Sequence, residues 1–364
     1  MKSSVNVQGT CVRVIRKGEA YRKLIWGILA YGGALLVMLL TMTLFIIGLG
    51  YNPLVAYQAA LKDSLFSIGG IAQTLNRMTP LLLASLAFTI GMRGGVFNIG
   101  IDGQIYLGAI LAGWVGIFLV GGVNIPWLQV PIVLIAGLVG GALYILVAAI
   151  LRMVWGVNEI FTTVMLNFVA LLLVEFLTTG PWNDPLTGEA VSVPITPGAV
   201  LPKLLPRGGA HVGVIIAILT AILIWWLLYR TVLGYEIRAV GSNWRASLFG
   251  GIAVRRVQFL ALALSGALGG LAGAIEVAGV HERVLLGLTP NYGVMAILIA
   301  VLARGQPLAL IPVSFIFGVL VAGADSLQRS IGLPAGAVFM VQGVAVLIVL
   351  LMEAVSLRHE RLTI

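Results

Sequence analysis

From Leu24 onward the chain alternates long apolar runs with short polar gaps. A helix crossing a bilayer needs about 20 mainly apolar residues. Ten runs reach or approach that length: 24–50, 79–92 (short), 104–122, 130–151, 157–179, 211–229, 257–279, 291–303 (short), 308–324 and 336–353. A membrane β-barrel would instead alternate apolar and polar positions over segments of about ten residues, and these runs are unbroken. The pattern predicts an all-α polytopic membrane protein of about ten transmembrane segments. Eight spans with two re-entrant pieces fit almost as well.

The second and third runs are parted by a polar, glycine-rich stretch, Met92 to Gln104, which reads MRGGVFNIGIDGQ. Non-helical backbone at membrane depth is tolerated only where protein buries it or where it lines a wet cavity. Such breaks mark transport pathways. Phe97, Asn98, Asp102 and Gln104 are therefore candidate pathway residues.

Composition sharpens the picture. Of 364 residues, 60% are hydrophobic and 10% charged, against roughly 25% charged in soluble domains. Such a chain cannot clothe a water-facing surface. The net charge of +9 fits loops facing anionic lipid rather than nucleic acid, because aromatic residues are not interleaved with the basic ones. Placing the ten runs in alternation puts 16 Lys and Arg on one side and 6 on the other. By the positive-inside rule both termini are cytoplasmic. The chain divides into a basic cytoplasmic segment, 1–23, a single transmembrane domain, 24–353, and a cytoplasmic tail, 354–364. The first run is too long for a signal-peptide core and is read as a retained span. The single cysteine, Cys11, excludes an internal disulfide.

Enzyme signatures are missing. There is no G-x-x-x-x-G-K-[ST] phosphate loop, no H-E-x-x-H, and His211, His281 and His359 are too dispersed for a metal site. No cofactor, metal or catalytic residue is expected. What remains is polar chemistry inside apolar runs, which is expensive at mid-bilayer and tends to be functional. Glu159, Thr163 and Asn167 recur at i, i+4 and i+8 and share one helix face. That face either meets the pathway or, at its start, serves as a helix cap with Asn158. Glu276, deep in GLAGAIEVAG, either pairs with Arg283 or Arg329 or faces the pathway. Glycine clusters at Ser265–Gly273 and at Gly137, Gly140 and Gly141 predict close helix packing.

The largest loop on the cytoplasmic side, 230–256, contains GSNWRASLFGGI at 241–252. Ser242 or Asn243 can cap a short helix, and Trp244, Leu248 and Phe249 are costly to leave in water, so the loop reads as a docking surface or as a helix lying on lipid.

Three strings carry a resemblance: TPLLLASLAFTIGMRGGVFNIGIDGQ at 79–104, NEIFTTVMLNFVA at 158–170 and GSNWRASLFGGI at 241–252. Together they resemble permease subunits of bacterial ABC importers, in the group serving branched-chain amino acids, ribose-type sugars and nucleosides. The nearest branch is the nucleoside permeases that work with a basic membrane protein. The resemblance spans most of 79–345 and is missing from 1–60. It implies a plasma-membrane (inner-membrane) importer built from this chain and a second permease subunit, either a different chain or a second copy. Cytoplasmic ABC ATPase subunits and an external solute-binding protein or lipoprotein complete it. It also implies that Gly241, Asn243, Trp244, Arg245, Ala246, Phe249, Gly251 and Ile252 form the coupling element that seats in the ATPase. Two departures stand out: Ala246-Ser247-Leu248-Phe249 replaces the Ala-Ala pair that precedes the family's Gly-Ile, and Asp102 stands where many relatives carry Glu or Ala. The solute expected is a nucleoside or related small polar compound, with a sugar or riboflavin-like compound as alternatives. An ion- or proton-coupled secondary transporter using Asp102 or Glu276, and a membrane scaffold, are the rival classes.

Overall fold

The computed structural model describes residue 36 and residues 40–122, 125–204, 209–334, 336–337, 339–340 and 343–344. The basic segment 1–23, the start of the run 24–50, Gln342, most of the run 336–353 and the tail 354–364 lie outside the described residues. The chain falls into two units, 60–326 on one hand and 1–59 with 327–364 on the other. Residues 60–326 hold the candidate site residues described below.

The described residues fold into α-helices: α1 (Leu40–Gly48), α2 (Pro53–Ser64), α3 (Ile68–Arg93), α4 (Ile101–Trp114), α5 (Pro126–Trp155), α6 (Glu159–Thr179), α7 (Gly213–Arg230), α8 (Val232–Ser242), α9 (Trp244–Phe249), α10 (Val254–Ile275), α11 (Tyr292–Leu302) and α12 (Leu310–Ile331). Both α4 and α10 run on into π-helical turns, Val115–Leu119 and Glu276–His281. Among the described residues six helices are long and apolar enough to cross a membrane, or seven if α1 and α2 make one bent span.

Of the two runs expected to be short, one is longer in the structure and one is not. The run 79–92 looked short because Gln73, Asn76 and Arg77 precede it, yet α3 begins at Ile68 and is 26 residues long. Two of its polar side chains reach neighbours: Arg77 bonds Asp325 and the Tyr292 hydroxyl, both at 2.9 Å, and the Asn76 amide nitrogen donates to the Gly209 carbonyl at 3.1 Å. The run 291–303 is genuinely short, since α11 has 11 residues and ends at Leu302, capped by Ala303 before a left-handed Arg304-Gly305 turn.

The core is α10, packed on α5, α4 and α3. Every residue from Ser265 to Ile275 is buried. Large side chains are scarce there because the backbones nearly touch: a methyl group on Gly108 would collide with Gly270, and one on Gly270 would collide with the Gly137 carbonyl. Small residues permit this approach, and dispersion between close backbones replaces the hydrophobic drive that lipid does not supply. In contrast, α6 turns a row of large apolar residues outward, including Phe161, Phe168, Leu172 and Phe176. Between α6 and α7, residues 180–204 and 209–212 form a loop with a short 3₁₀ turn, Pro197–Ala199, and isolated β-bridges.

Candidate functional site

The break between α3 and α4 is an ordered connection with few loose backbone groups. Helix α3 closes with Gly95 at φ 70° and the Val96 N–H donating to the Gly91 carbonyl at 3.0 Å. This is a left-handed helix end that glycine adopts without a side-chain clash. Beyond it the chain cannot satisfy itself, and α6 supplies the missing acceptors. The Phe97 N–H donates to Glu159 Oε1 at 3.3 Å, the Ile99 N–H to Thr163 Oγ1 at 3.3 Å and the Gly103 N–H to Asn167 Oδ1 at 2.7 Å. Asn167 also donates to the Ile99 carbonyl at 3.1 Å. The three-residue stripe on α6 thus serves the backbone of the break, which is the requirement for non-helical chain at membrane depth. Asn158 caps α6 through the Ile160 N–H at 2.9 Å, and Glu159 also forms an ion pair with Arg152.

Asn98 is the centre of the break. It is fully buried, and each amide atom is used. Its Nδ2 donates to Gln104 Oε1 at 3.0 Å and to Ser265 Oγ at 2.7 Å. Its Oδ1 accepts from the Gly100 N–H at 3.0 Å and from Gln104 Nε2 at 2.9 Å. Ser265 passes the chain on to the Ala87 carbonyl at 2.6 Å. The network joins α3, α4 and α10. Asp102 points elsewhere: its Oδ1 accepts from the Gly293 N–H at 2.8 Å, in the first turn of α11. A carboxylate there meets unpaired N–H groups and the positive end of the helix dipole. Phe97 is the exposed member, with 48% of its surface open, its ring 6.5 Å from that of Phe88.

Glu276 hydrogen-bonds to none of these residues. It sits in the π-helical turn after α10, 1% exposed, with His281 Nε2 3.3 Å from its Oε2. Arg283, one of the two arginines offered by sequence, is not its ion-pair partner. Arg283 pairs with Asp184 at 3.3 Å instead, because the loop after α6 folds back over this segment. Among the described residues no group of three or more His, Cys, Asp or Glu could hold a metal ion.

Helices α8 and α9 present the second candidate surface. Asn243 caps α9 by accepting from the Ala246 N–H at 3.0 Å. Trp244, Leu248 and Phe249 project outward, Phe249 with 91% of its surface exposed, while Ser247 faces inward. The Arg245 guanidinium lies 5.2 Å from the centre of the Trp244 ring. Gly251 turns the chain at φ 81°, and Ala246 and Ile252 complete the segment ahead of α10. The end of α8 rests on the break: a side chain at Gly241 would collide with the Arg93 carbonyl, and Gly95 lies against Gly241. Sequence reasoning did not find this contact, nor the role of Arg93. Its guanidinium donates to the Gly305 carbonyl at 2.9 Å and to the Arg304 carbonyl at 3.1 Å, tying the end of α3 to the end of α11. The strings Thr79-Pro80…Arg93-Gly94 and Thr289-Pro290…Arg304-Gly305 echo each other as in an internal repeat, but an echo does not say that the two helix ends touch.

Among the described residues, membrane-length apolar helices, a broken helix knitted into the core and an outward apolar loop fit a multi-pass membrane protein. Residues 70–351 match the family described as the permease component of branched-chain amino acid transport systems, and the chain belongs to that family. It is 32% identical to the glucose ABC transporter permease protein TsgB13 of Haloferax volcanii, over 89% of this chain and 88% of that one. It is 31% identical to the nucleoside ABC transporter permease protein NupB of Lactococcus lactis, over 80% and 82%. It is 29% identical to the guanosine ABC transporter permease protein NupP of Bacillus subtilis, over 82% and 86%. No solved structure matches significantly. The chain is a permease subunit of the ABC-transporter kind.

Proposed function

We propose that this chain forms half of the pathway of a plasma-membrane (inner-membrane) importer for nucleosides or related hydroxylated solutes such as sugars. Its reading in full has about ten spans with both termini in the cytoplasm. A second permease subunit lies beside it, either a different chain or a second copy. ATPase subunits attach from the cytoplasm, and a solute-binding protein or lipoprotein delivers solute from outside. The relatives' solutes, nucleosides and glucose, support the solute class, and they share neighbouring hydroxyls on a ring.

The observation that carries the reading is the contact of Gly241 with Arg93 and Gly95. Segment 241–252 exposes Trp244, Leu248 and Phe249 for a protein partner while its root abuts the broken helix. A push delivered by an ATPase on α9 would reach the Arg93 end of the break and, through the Arg93 bonds, the end of α11. Phe97, Asn98, Asp102, Gln104, Glu159, Thr163 and Asn167 then hold the pathway wall in one arrangement that closure must change or carry along. Coupling through packed elements of this type needs contiguity, which the close glycine contact supplies.

The test is association. In the purified assembly, Trp244→Ala with Phe249→Ala should reduce recovery of the ATPase with the permease at least tenfold, while thermal unfolding of the permease stays within a few degrees of the parent. Unchanged recovery would reject the assignment of 241–252 as the ATPase seat.

A further inference from the structure

The region around Glu276 is built unlike the break. At the break almost every polar atom has a partner. Around Glu276 hydrogen bonds are missing: among the described residues both carboxylate oxygens, His281 Nε2 and His211 Nε2 are buried without one, although His281 Nε2 stands at an ion-pair distance of 3.3 Å from Oε2. Glu276 and His211 are essentially inaccessible. Leaving such groups unpaired costs about 1–3 kcal/mol each, and more for a charged one, so natural proteins rarely keep them without a use.

The neighbours do not supply that use. Arg77 and Tyr292 lie within electrostatic reach of Glu276. Arg77 is committed to Asp325, at 2.8 Å, and to the Tyr292 hydroxyl. His211 is fixed as a donor: its Nδ1 accepts from the Gly213 N–H at 3.1 Å, which leaves the proton of the neutral ring on Nε2. Its ring packs against Gly279, one turn beyond Glu276. The carboxylate sits in a π-helical turn, a distortion frequent at functional sites. The loop after α6 covers it, through the Leu201 N–H to the Ala278 carbonyl at 2.8 Å and the Ile195 N–H to the Glu282 carbonyl at 2.9 Å. A surface groove lined by Pro194, Ile195, Thr196, Pro197, Val200 and Glu282 opens beside that cover, one residue along from His281.

An acceptor with two oxygens and a fixed N–H donor within its electrostatic reach define a ligand class. An anion would be repelled by the carboxylate, and a metal ion has too few ligands here. Two hydroxyls on adjacent carbons fit. Each donates to one carboxylate oxygen, and one of their oxygens accepts from His211 Nε2–H. His281 Nε2, 3.3 Å from Oε2, holds the carboxylate while no solute is present and yields to a hydroxyl. We infer that Glu276, with His211 and His281, is a solute subsite that binds a vicinal diol, as on a ribose or hexose ring, beneath the loop that follows α6.

This inference rests on the transport reading above but can fail separately. The full chain is purified in lipid nanodiscs, and guanosine, D-ribose and 2′,3′-dideoxyguanosine are titrated calorimetrically. Guanosine and ribose should bind saturably, and the dideoxy compound at least tenfold more weakly than guanosine. Glu276→Gln, which preserves shape, should weaken guanosine at least tenfold and erase the preference over the dideoxy compound. Equal binding of guanosine and its dideoxy analogue by the parent protein, or no binding of either, would overturn the proposal without relying on any variant. So would unaltered guanosine affinity in Glu276→Gln. Recovery of the ATPase with the same preparations is read in parallel. Its failure in the parent protein would count against the importer reading and leave the diol result standing on its own.

Discussion

Thr163 and Asn167 contribute through hydrogen bonds to the backbone of the break, and their removal is a sharp test of why the stripe on α6 exists. Thr163→Val keeps the shape but leaves the Ile99 N–H unpaired. Asn167→Leu forfeits both the Gly103 N–H and the Ile99 carbonyl. At about 1–3 kcal/mol per orphaned buried group, both should lower the midpoint of thermal unfolding in detergent, Asn167→Leu the more. Equal midpoints for the two variants and the parent would mean that water replaces these partners. The stripe itself was legible, because spacing at i, i+4 and i+8 sets the three side chains on one face. What that face meets was not legible. A side chain serving a distant backbone N–H leaves no pattern of its own, so Asn167 bonding to Gly103 and Asn167 facing a solute read alike. Asp102 shows the same limit: an acid near a glycine-rich break looks like a pathway group, and only the folded chain brings the first turn of α11 to it.

At the scale of elements, α3 carries the clearest lesson. Hydropathy marks its second half, whereas its first half contains Gln73, Asn76 and Arg77 and reads as a gap. The helix continues because Arg77 finds Asp325 on α12 and Tyr292 on α11. Removing one partner of such a pair strands the other, a loss of about 3 kcal/mol or more, whereas replacing both by apolar groups is often close to neutral. Arg77→Met alone should therefore lower stability markedly, and Arg77→Met with Asp325→Leu should recover most of it. Thermal unfolding of the two variants in the same detergent checks this, and a double variant no better than the single one would refute the pairing as the reason α3 holds together. The glycine patches, by contrast, were read correctly as packing surfaces. Their spacing on α5 and α10 predicts close approach, and α10 lies against α5 through Gly270, Gly137 and Gly141. The connection from α6 to α7 was legible as a loop but not as a cover, since its bonds to residues 276–286 run between segments far apart in sequence.

For the molecule as a whole, the family could be read from the strings at 79–104, 158–170 and 241–252, and the match over 70–351 agrees. The contact between the α8–α9 segment and the break could not, because Gly241 and Arg93 are far apart in the chain and glycine announces closeness without naming a partner. That contact is where the account is most exposed. Gly241→Val places a branched side chain against the Arg93 carbonyl and Gly95, while leaving the outward residues Trp244, Leu248 and Phe249 untouched. The decisive measurement is solute taken up per ATP hydrolysed, in proteoliposomes containing the complete importer with its binding protein. The account predicts that Gly241→Val retains its ATPase subunits and hydrolyses ATP at a rate near the parent's, with uptake per ATP reduced at least tenfold. Uptake per ATP equal to the parent's, with the complex intact, would contradict it.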